Sequence, residues 1–326
     1  MKRLLIVAAG LGLVLAVAII AYEGFGAVTH AFAAVGYGLA VVTVIRAVEL
    51  VGAGLGWWFI FPPDAKASLR LSVWVRFIRE AINSLLPVAQ VGGEIAGARL
   101  MTFSGIPAGL SGATVLVDMF MQVVSLFLFT LVGLAIFSLD GADNALLGPI
   151  VAGTAIMGAA LAGFFVAQRY GGARLVDRAL MALAERFGWS ALANLASLHD
   201  NLVRIYADVP RLTAAMLVHI VVWFVGTLEI VVALYLMGYP VSIADAVVIE
   251  SLSQAVRAAA FLVPGALGVQ EAGFVAICSA FGIPAAPSLA LSLVKRVPEL
   301  LLGLPFLFVW HAQEVKALKD RRVPGA

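Results

Sequence analysis

Charge is the scarcest commodity in this chain: only 12% of its 326 residues are Asp, Glu, Lys or Arg, against roughly a quarter in a soluble domain. So few charges could not clothe a water-soluble globule of this size. Cysteine is scarcer still. The single Cys278 excludes a disulfide framework and any thiolate metal cluster. The histidines, His30, His199, His219 and His311, are scattered without metal-ligand spacing. Asp140 and Asp143 form an Asp-x-x-Asp pair, but in a short Gly- and Asn-containing stretch that reads as a turn. No Walker lysine motif is present, which excludes an ATP-driven pump, and no serine lies in a nucleophile elbow. A net charge of +2 with no basic stripe gives no reason to expect a nucleic-acid partner. Nothing in the pattern calls for a metal or a cofactor.

What the chain has in abundance is apolar length. Hydrophobic residues make up 63% and mean hydropathy is +1.05. A membrane helix needs about 20 apolar residues, and six stretches qualify: Leu4–Tyr22, Gly36–Ile60, Leu110–Phe137, Leu146–Ala167, Leu212–Met237 and Ala285–Trp310. Leu4–Tyr22 is long for a signal peptide and no clear small-residue cleavage site follows it, so it reads as a retained span. Two further segments, Arg79–Ser104 and Ala246–Phe281, are apolar but interrupted by charges, glycines and a proline. The expected fold class is therefore an all-α polytopic membrane protein with two broken, re-entrant segments.

Basic residues orient the spans. Lys2 and Arg3 precede the first, and the loop Phe61–Ile78 holds Lys66, Arg70 and Arg76. Segment 168–211 holds Arg169, Arg174, Arg178, Arg186, Arg204 and Arg211, and the tail holds Lys316, Lys319, Arg321 and Arg322. The loops Glu23–Val35, Ser138–Ala145 and Gly238–Asp245 carry no Lys or Arg. The positive-inside rule places both termini and the basic loops in the cytoplasm. This works only if each interrupted segment enters and leaves on one side. Within segment 168–211, Leu195, Leu198, Leu202 and Ile205 give one apolar helical face, expected to lie on the membrane surface or on the other helices.

The chain repeats itself. Adding 177 to a residue number carries Pro87 to Pro264, Glu94 to Glu271, and Gly105-Ile106-Pro107-Ala108 to Gly282-Ile283-Pro284-Ala285. Chance bias would scatter Ala and Leu matches but would not align two prolines, a glutamate and a four-residue string at one offset. The single membrane domain, 1–326, thus divides into repeat one (36–137), a connector (168–211), repeat two (212–311) and a tail (312–326). The arginine distribution makes the repeat inverted, an architecture frequent among secondary transporters, whose substrate sites sit where the broken helices of the two halves meet.

A charge at the bilayer centre costs about 2.5–3.5 kcal/mol on insertion scales, yet the apolar stretches contain Arg46, Glu49, Glu80, Glu94, Arg99, Asp118, Glu229, Glu250, Arg257, Glu271, Lys295, Arg296 and Glu299. Arg46 and Glu49 are spaced to share a helical face, as are Arg296 and Glu299. Mutual neutralisation would explain single pairs; a continuous polar cavity explains the set. In the broken segments, proline removes an amide donor and glycine permits a turn. A half-helix starting near Gly92 or Gly268 would offer amides to an anion or to a capping carboxylate, Glu94 or Glu271. The candidate substrate-binding or gating set is Glu94, Glu271, Pro87, Pro264, Arg79, Arg257, Lys295 and Arg296, the cations holding an anionic head group.

The stretch Leu-Val-Pro264-Gly-Ala-Leu-Gly268-Val-Gln-Glu271-Ala-Gly273 resembles the Pro-Gly-x-x-Gly-x-x-Glu signature of the flippase-like proteins, a family similar to the transmembrane region of lysylphosphatidylglycerol synthases. Residues Arg76 to Glu94 resemble more narrowly the hopanoid-biosynthesis-associated family HpnL. The resemblance implies movement of a hopanoid or another amphipathic membrane lipid between leaflets. No soluble aminoacyl-transferase domain follows Ala326, so lysine transfer to lipid is not expected. Two alternatives stay open: a head-group enzyme using the glutamates as acid and base, and a scaffold engaging lipid-biosynthesis proteins through the connector.

Overall fold

The structure, a computed structural model, describes residues 25–86, 91–139, 195–260 and 266–321, with a few positions between 148 and 163 and residue 263. Regular structure among them is helical: α1 (Phe25–Val35), α2 (Gly38–Ile60), α3 (Leu69–Leu85), α4 (Gly92–Phe103), α5 (Ala108–Leu139), α6 (Leu195–Ala207), α7 (Val209–Leu236), α8 (Ile243–Ala259), α9 (Val269–Ser279) and α10 (Ala285–Arg321). By length and composition, α2, α5 and α7 are able to cross a membrane. The expected span Ala285–Trp310 is helical within α10, which contains Pro298 and Pro305 and the charges Lys295, Arg296 and Glu299. The stretch Leu4–Tyr22, most of Leu146–Ala167, Pro87 and Pro264 lie outside the described residues.

Local chemistry explains the boundaries, and in three places it corrects the sequence reading. The stretch Glu23–Val35, expected as a loop, is helical from Phe25 and ends at Gly36, whose φ of 46° favours glycine. The basic loop Phe61–Ile78 is helical from Leu69, because the Ser68 hydroxyl caps α3 by accepting from the Leu71 amide at 3.2 Å. At the other end, α8 starts before Ala246, on a capping box in which Ser242 and Asp245 satisfy each other's backbone amides. The break in the first segment falls where expected: Leu86 is extended (φ −107°, ψ 146°), as the residue before a proline prefers.

The four-residue string shared by the halves builds the same turn twice. Gly105 and Gly282 take φ of 83° and 69°. The Ile106 amide then donates to the Met101 carbonyl, as the Ile283 amide does to Cys278. Each is a helix-ending motif that tucks its isoleucine into the core and hands over to a proline before the next helix.

Packing repeats as well. The most extensive contact joins α2 to α7. Beyond it, α3 packs on α10 as α8 packs on α5, α2 meets α10 as α7 meets α5, and each short helix, α4 or α9, lies between its own neighbours. Exchanging the two sets of four helices leaves this pattern of principal contacts unchanged. The outer surface is apolar. Val41, Val44, Val48 and Val51 form an exposed stripe on α2, and Leu217, Val221, Phe224 and Leu228 another on α7. Exposed apolar faces beside a buried charged interior are what a lipid solvent selects and water does not. The chain is a helical membrane protein.

Segment α6 docks on α5, with Leu198 and Ile205 buried, so its apolar face is spent on the other helices. Arg204 pairs with Asp64 and holds that carboxyl below its usual range. Arg211, at the start of α7, donates from Nε to the Phe59 carbonyl at 2.9 Å and tethers the end of α2.

Candidate functional site

The interior charges fall into three groups. The first centres on Arg79 of α3, which is fully buried. Its guanidinium bridges Glu94 of α4 and Asp118 of α5, the latter at 2.8 Å, and lies over the Trp57 ring at 4.5 Å. Asp118 also meets Nε2 of His219 on α7 at 3.1 Å. Asn83 does the capping here: its side-chain carbonyl accepts from the Gly93 amide at 2.8 Å while its amide donates to Glu94 at 3.2 Å. The close approach requires glycine. A Cβ at Gly97 would sit 2.6 Å from Arg79 Cδ, so Gly97→Ala must displace the buried guanidinium. We expect it to cost about 1–3 kcal/mol, read as a lower melting temperature in detergent.

The second group centres on Lys295 of α10. Its ammonium donates to Glu229 of α7 at 2.6 Å and to Glu250 of α8 at 2.8 Å. Arg46 of α2 joins from the other side, 2.8 Å from Glu49 and 3.5 Å from Glu229. The third group closes the second broken segment. Glu271 accepts from the Gly268 amide at 2.7 Å, from Ser292 at 3.2 Å and from Arg296 at 2.9 Å. Glu271 is thus the cap that glutamate offers to a helix start, whereas in the first half Asn83 caps and Glu94 serves as an ionic partner. The spacing Arg46–Glu49 gives the expected same-helix pair. Arg296 and Glu299 reach across helices, to Glu271 and to Arg257 at 2.6 Å.

Between α2, α3, the start of α4, α5, α7 and α8 lies a cavity of about 360 Å³. Its polar wall comprises Arg46, Glu49, Arg76, Glu80, Asn83, Glu94, Gln122, His219, Gln254 and Arg257; Leu50, Met119, Val123, Leu126 and Val222 supply an apolar side. That volume falls in the range of small-molecule sites, roughly 300–1,000 Å³. Of the residues singled out from sequence, Glu94 and Arg257 line the cavity. Arg79, Lys295, Glu271 and Arg296 are not among its lining residues and are engaged by partners of opposite charge.

Two participants, His219 and Trp57, and one relation between named charges are not legible in the sequence pattern. His219 was set aside for want of metal-ligand spacing, yet it lines the cavity and touches Asp118. Trp57, an ordinary apolar-span residue, is the surface under Arg79. Asp118 and Lys295 are charges of opposite sign at positions related by the 177-residue offset, so the offset itself carries the signal for this reversal of sign.

The lysylphosphatidylglycerol synthase transmembrane-region family matches residues 5–305. The chain belongs to that family. No curated protein and no solved structure matches. Membership makes this a lipid-related membrane protein, and the match spans both halves of the described fold.

Proposed function

We propose that the protein moves an amphipathic lipid between the leaflets of a bacterial inner membrane. One observation carries this reading: a cavity of about 360 Å³ with a charged wall, large enough for a head group, lies within a bundle whose outer face is apolar. A lipid could keep its tails in the bilayer while its head group crosses among Arg46, Arg76, Arg257 and the glutamates. The invariance of the helix contacts on exchanging the halves supports a two-fold relation between them, and the arginine distribution supports an inverted one. Two such halves facing opposite leaflets can exchange roles, which is the physical basis of alternating access. The narrower resemblance to the hopanoid-associated family makes hopanoids the first lipids to try.

The orientation is testable directly. In a chain with Cys278 replaced, single cysteines at Ala142 and Ala244 should react with an impermeant thiol reagent on intact cells, and one at Ser190 should not. Labelling at 190 would sink the inverted arrangement.

The deciding assay is leaflet-resolved lipid movement in proteoliposomes holding only this protein. Intact lipid crossing faster supports the transporter. A chemically altered lipid would replace it with a head-group enzyme. No movement of any lipid, with synthesis enzymes co-purifying through segment 168–211, would replace it with a scaffold. Within that assay the two glutamates should separate. Glu94→Gln changes the cavity wall while Arg79 keeps Asp118 as its counter-charge, so it should slow movement several-fold in protein that still folds. Glu271→Gln weakens a helix cap and an ion pair, so it should act first on stability, by about 1–2 kcal/mol. The same effect from both would refute the division of roles.

A further inference from the structure

Counting charge in the second group gives a deficit. Arg46 and Lys295 face three carboxylates, Glu49, Glu229 and Glu250, in a continuous set of contacts. All five residues are at most 9% exposed. The neighbouring pairs, Arg257 with Glu299 and Arg296 with Glu271, balance themselves and supply no spare cation. An uncompensated charge in such surroundings is among the costliest things a fold can hold.

The hydrogen bonds narrow the deficit to two of the three carboxylates, and the cavity separates those two. Both oxygens of Glu250 are engaged, by Lys295 and by Gln254 at 2.7 Å. Glu229 has one oxygen on Lys295, while its Oε1 lies 3.5 Å from Arg46 with no hydrogen-bond partner. Glu49 has one oxygen on Arg46, while its Oε1 is buried with no hydrogen-bond partner. That oxygen rests over Gly226, where a Cβ would lie 3.0 Å from it and 3.5 Å from Glu250 Oε1. Two carboxyl groups therefore converge on one glycine. Glu49 is also the member of the three that lines the cavity.

We infer that Glu49 is a proton-binding site opening on the central cavity, and that lipid movement is coupled to the proton it takes up and releases. A proton placed on Oε1 closes the charge count and turns an orphaned acceptor into a donor. Metal ions are a poorer occupant, because the described carboxylates form no metal-binding group. The groups that set the balance are Arg46 beside it, Glu229 from α7, Glu250 from α8, Lys295 and Glu299 from α10, and Arg76 and Glu80 of α3 across the cavity. When a cationic part of a head group reaches the cavity, it can replace the proton as the missing positive charge. The coupling half of the inference rests on the transporter reading; proton binding itself does not.

The test separates the two. Dicyclohexylcarbodiimide adds to protonated carboxyl groups in apolar surroundings, and mass spectrometry locates the adduct. In the full chain in proteoliposomes, Glu49 should be modified, and modification should fall about tenfold or more between about pH 6 and about pH 9. Glu250→Gln leaves two cations and two carboxylates, so Glu49 should ionise and its modification should drop by about tenfold at the lower pH. Glu49→Gln mimics the protonated side chain and should remain folded, with lipid movement no longer responding to an imposed pH gradient. An unmodified or pH-indifferent Glu49 in folded protein overturns the proton site, as does protection by sodium ions or an unfolded Glu49→Gln. Modification as expected with no lipid movement overturns transport and leaves the proton site standing. Lipid movement with no modification does the reverse.

Discussion

Lys295→Met should leave almost no folded protein in the membrane. The ammonium is the shared partner of Glu229 and Glu250, which are 0% and 1% exposed, and removing it strands both. Arg46 is then the one cation facing three carboxylates. Breaking a buried ion pair from one side typically costs about 3–5 kcal/mol, because the remaining charge has neither water nor partner. A domain holds only about 5–15 kcal/mol in all. The defect should be reversible by subtraction. Adding Glu229→Gln and Glu250→Gln to Lys295→Met leaves the Arg46–Glu49 pair alone, and most of the lost melting temperature should return in fluorescence-detected size-exclusion measurements. If the single variant is as stable as the parent, Lys295 is not the hub of the group. If the triple variant stays unfolded, the loss comes from packing at α10 and not from stranded charge.

The distribution of insight between sequence and structure follows from how far each signal reaches. Composition and span length make the membrane class legible because they sum over many residues. The 177-residue offset places equivalent helix starts, Gly92 with Val269 and Ala108 with Ala285, because the capping and turn chemistry that sets them is local. The string Gly105-Ile106-Pro107-Ala108 makes the same turn at both places where it occurs in this chain. Partner choice is different. Arg296 and Glu299 are spaced for a same-helix pair, but Glu299 meets Arg257 on α8 and Arg296 meets Glu271 on α9. Nothing within one helix records which neighbour will arrive. The division of labour at the two broken segments was hidden for the same reason. Glu94 and Glu271 occupy equivalent positions, yet Asn83 takes over the capping in one half, and its counterpart in the other half, Ala260, has no side-chain amide to offer.

Arg79→Met tests whether the first half is held by charge in the same way. Here one guanidinium reaches two carboxylates on different helices, Glu94 at the start of α4 and Asp118 in the middle of α5, so a single side chain ties α4 to α5, beside the Asn83 cap that ties α4 to α3. Methionine fills the volume over Trp57 but leaves both carboxylates without their main partner, at a cost of about 3–5 kcal/mol. Lysine is not a conservative replacement. Its compact ammonium cannot present separate donors to two helices or lie flat on the indole at 4.5 Å. Arg79→Lys should therefore recover only part of the loss. Adding Glu94→Gln and Asp118→Asn to Arg79→Met removes the stranded charges and should restore stability. It should not restore lipid movement, because Glu94 belongs to the cavity wall and the anchor between α4 and α5 is gone. Stability and movement returning together would show that Arg79 serves only to neutralise its two neighbours, and that the position of the broken segment does not depend on it.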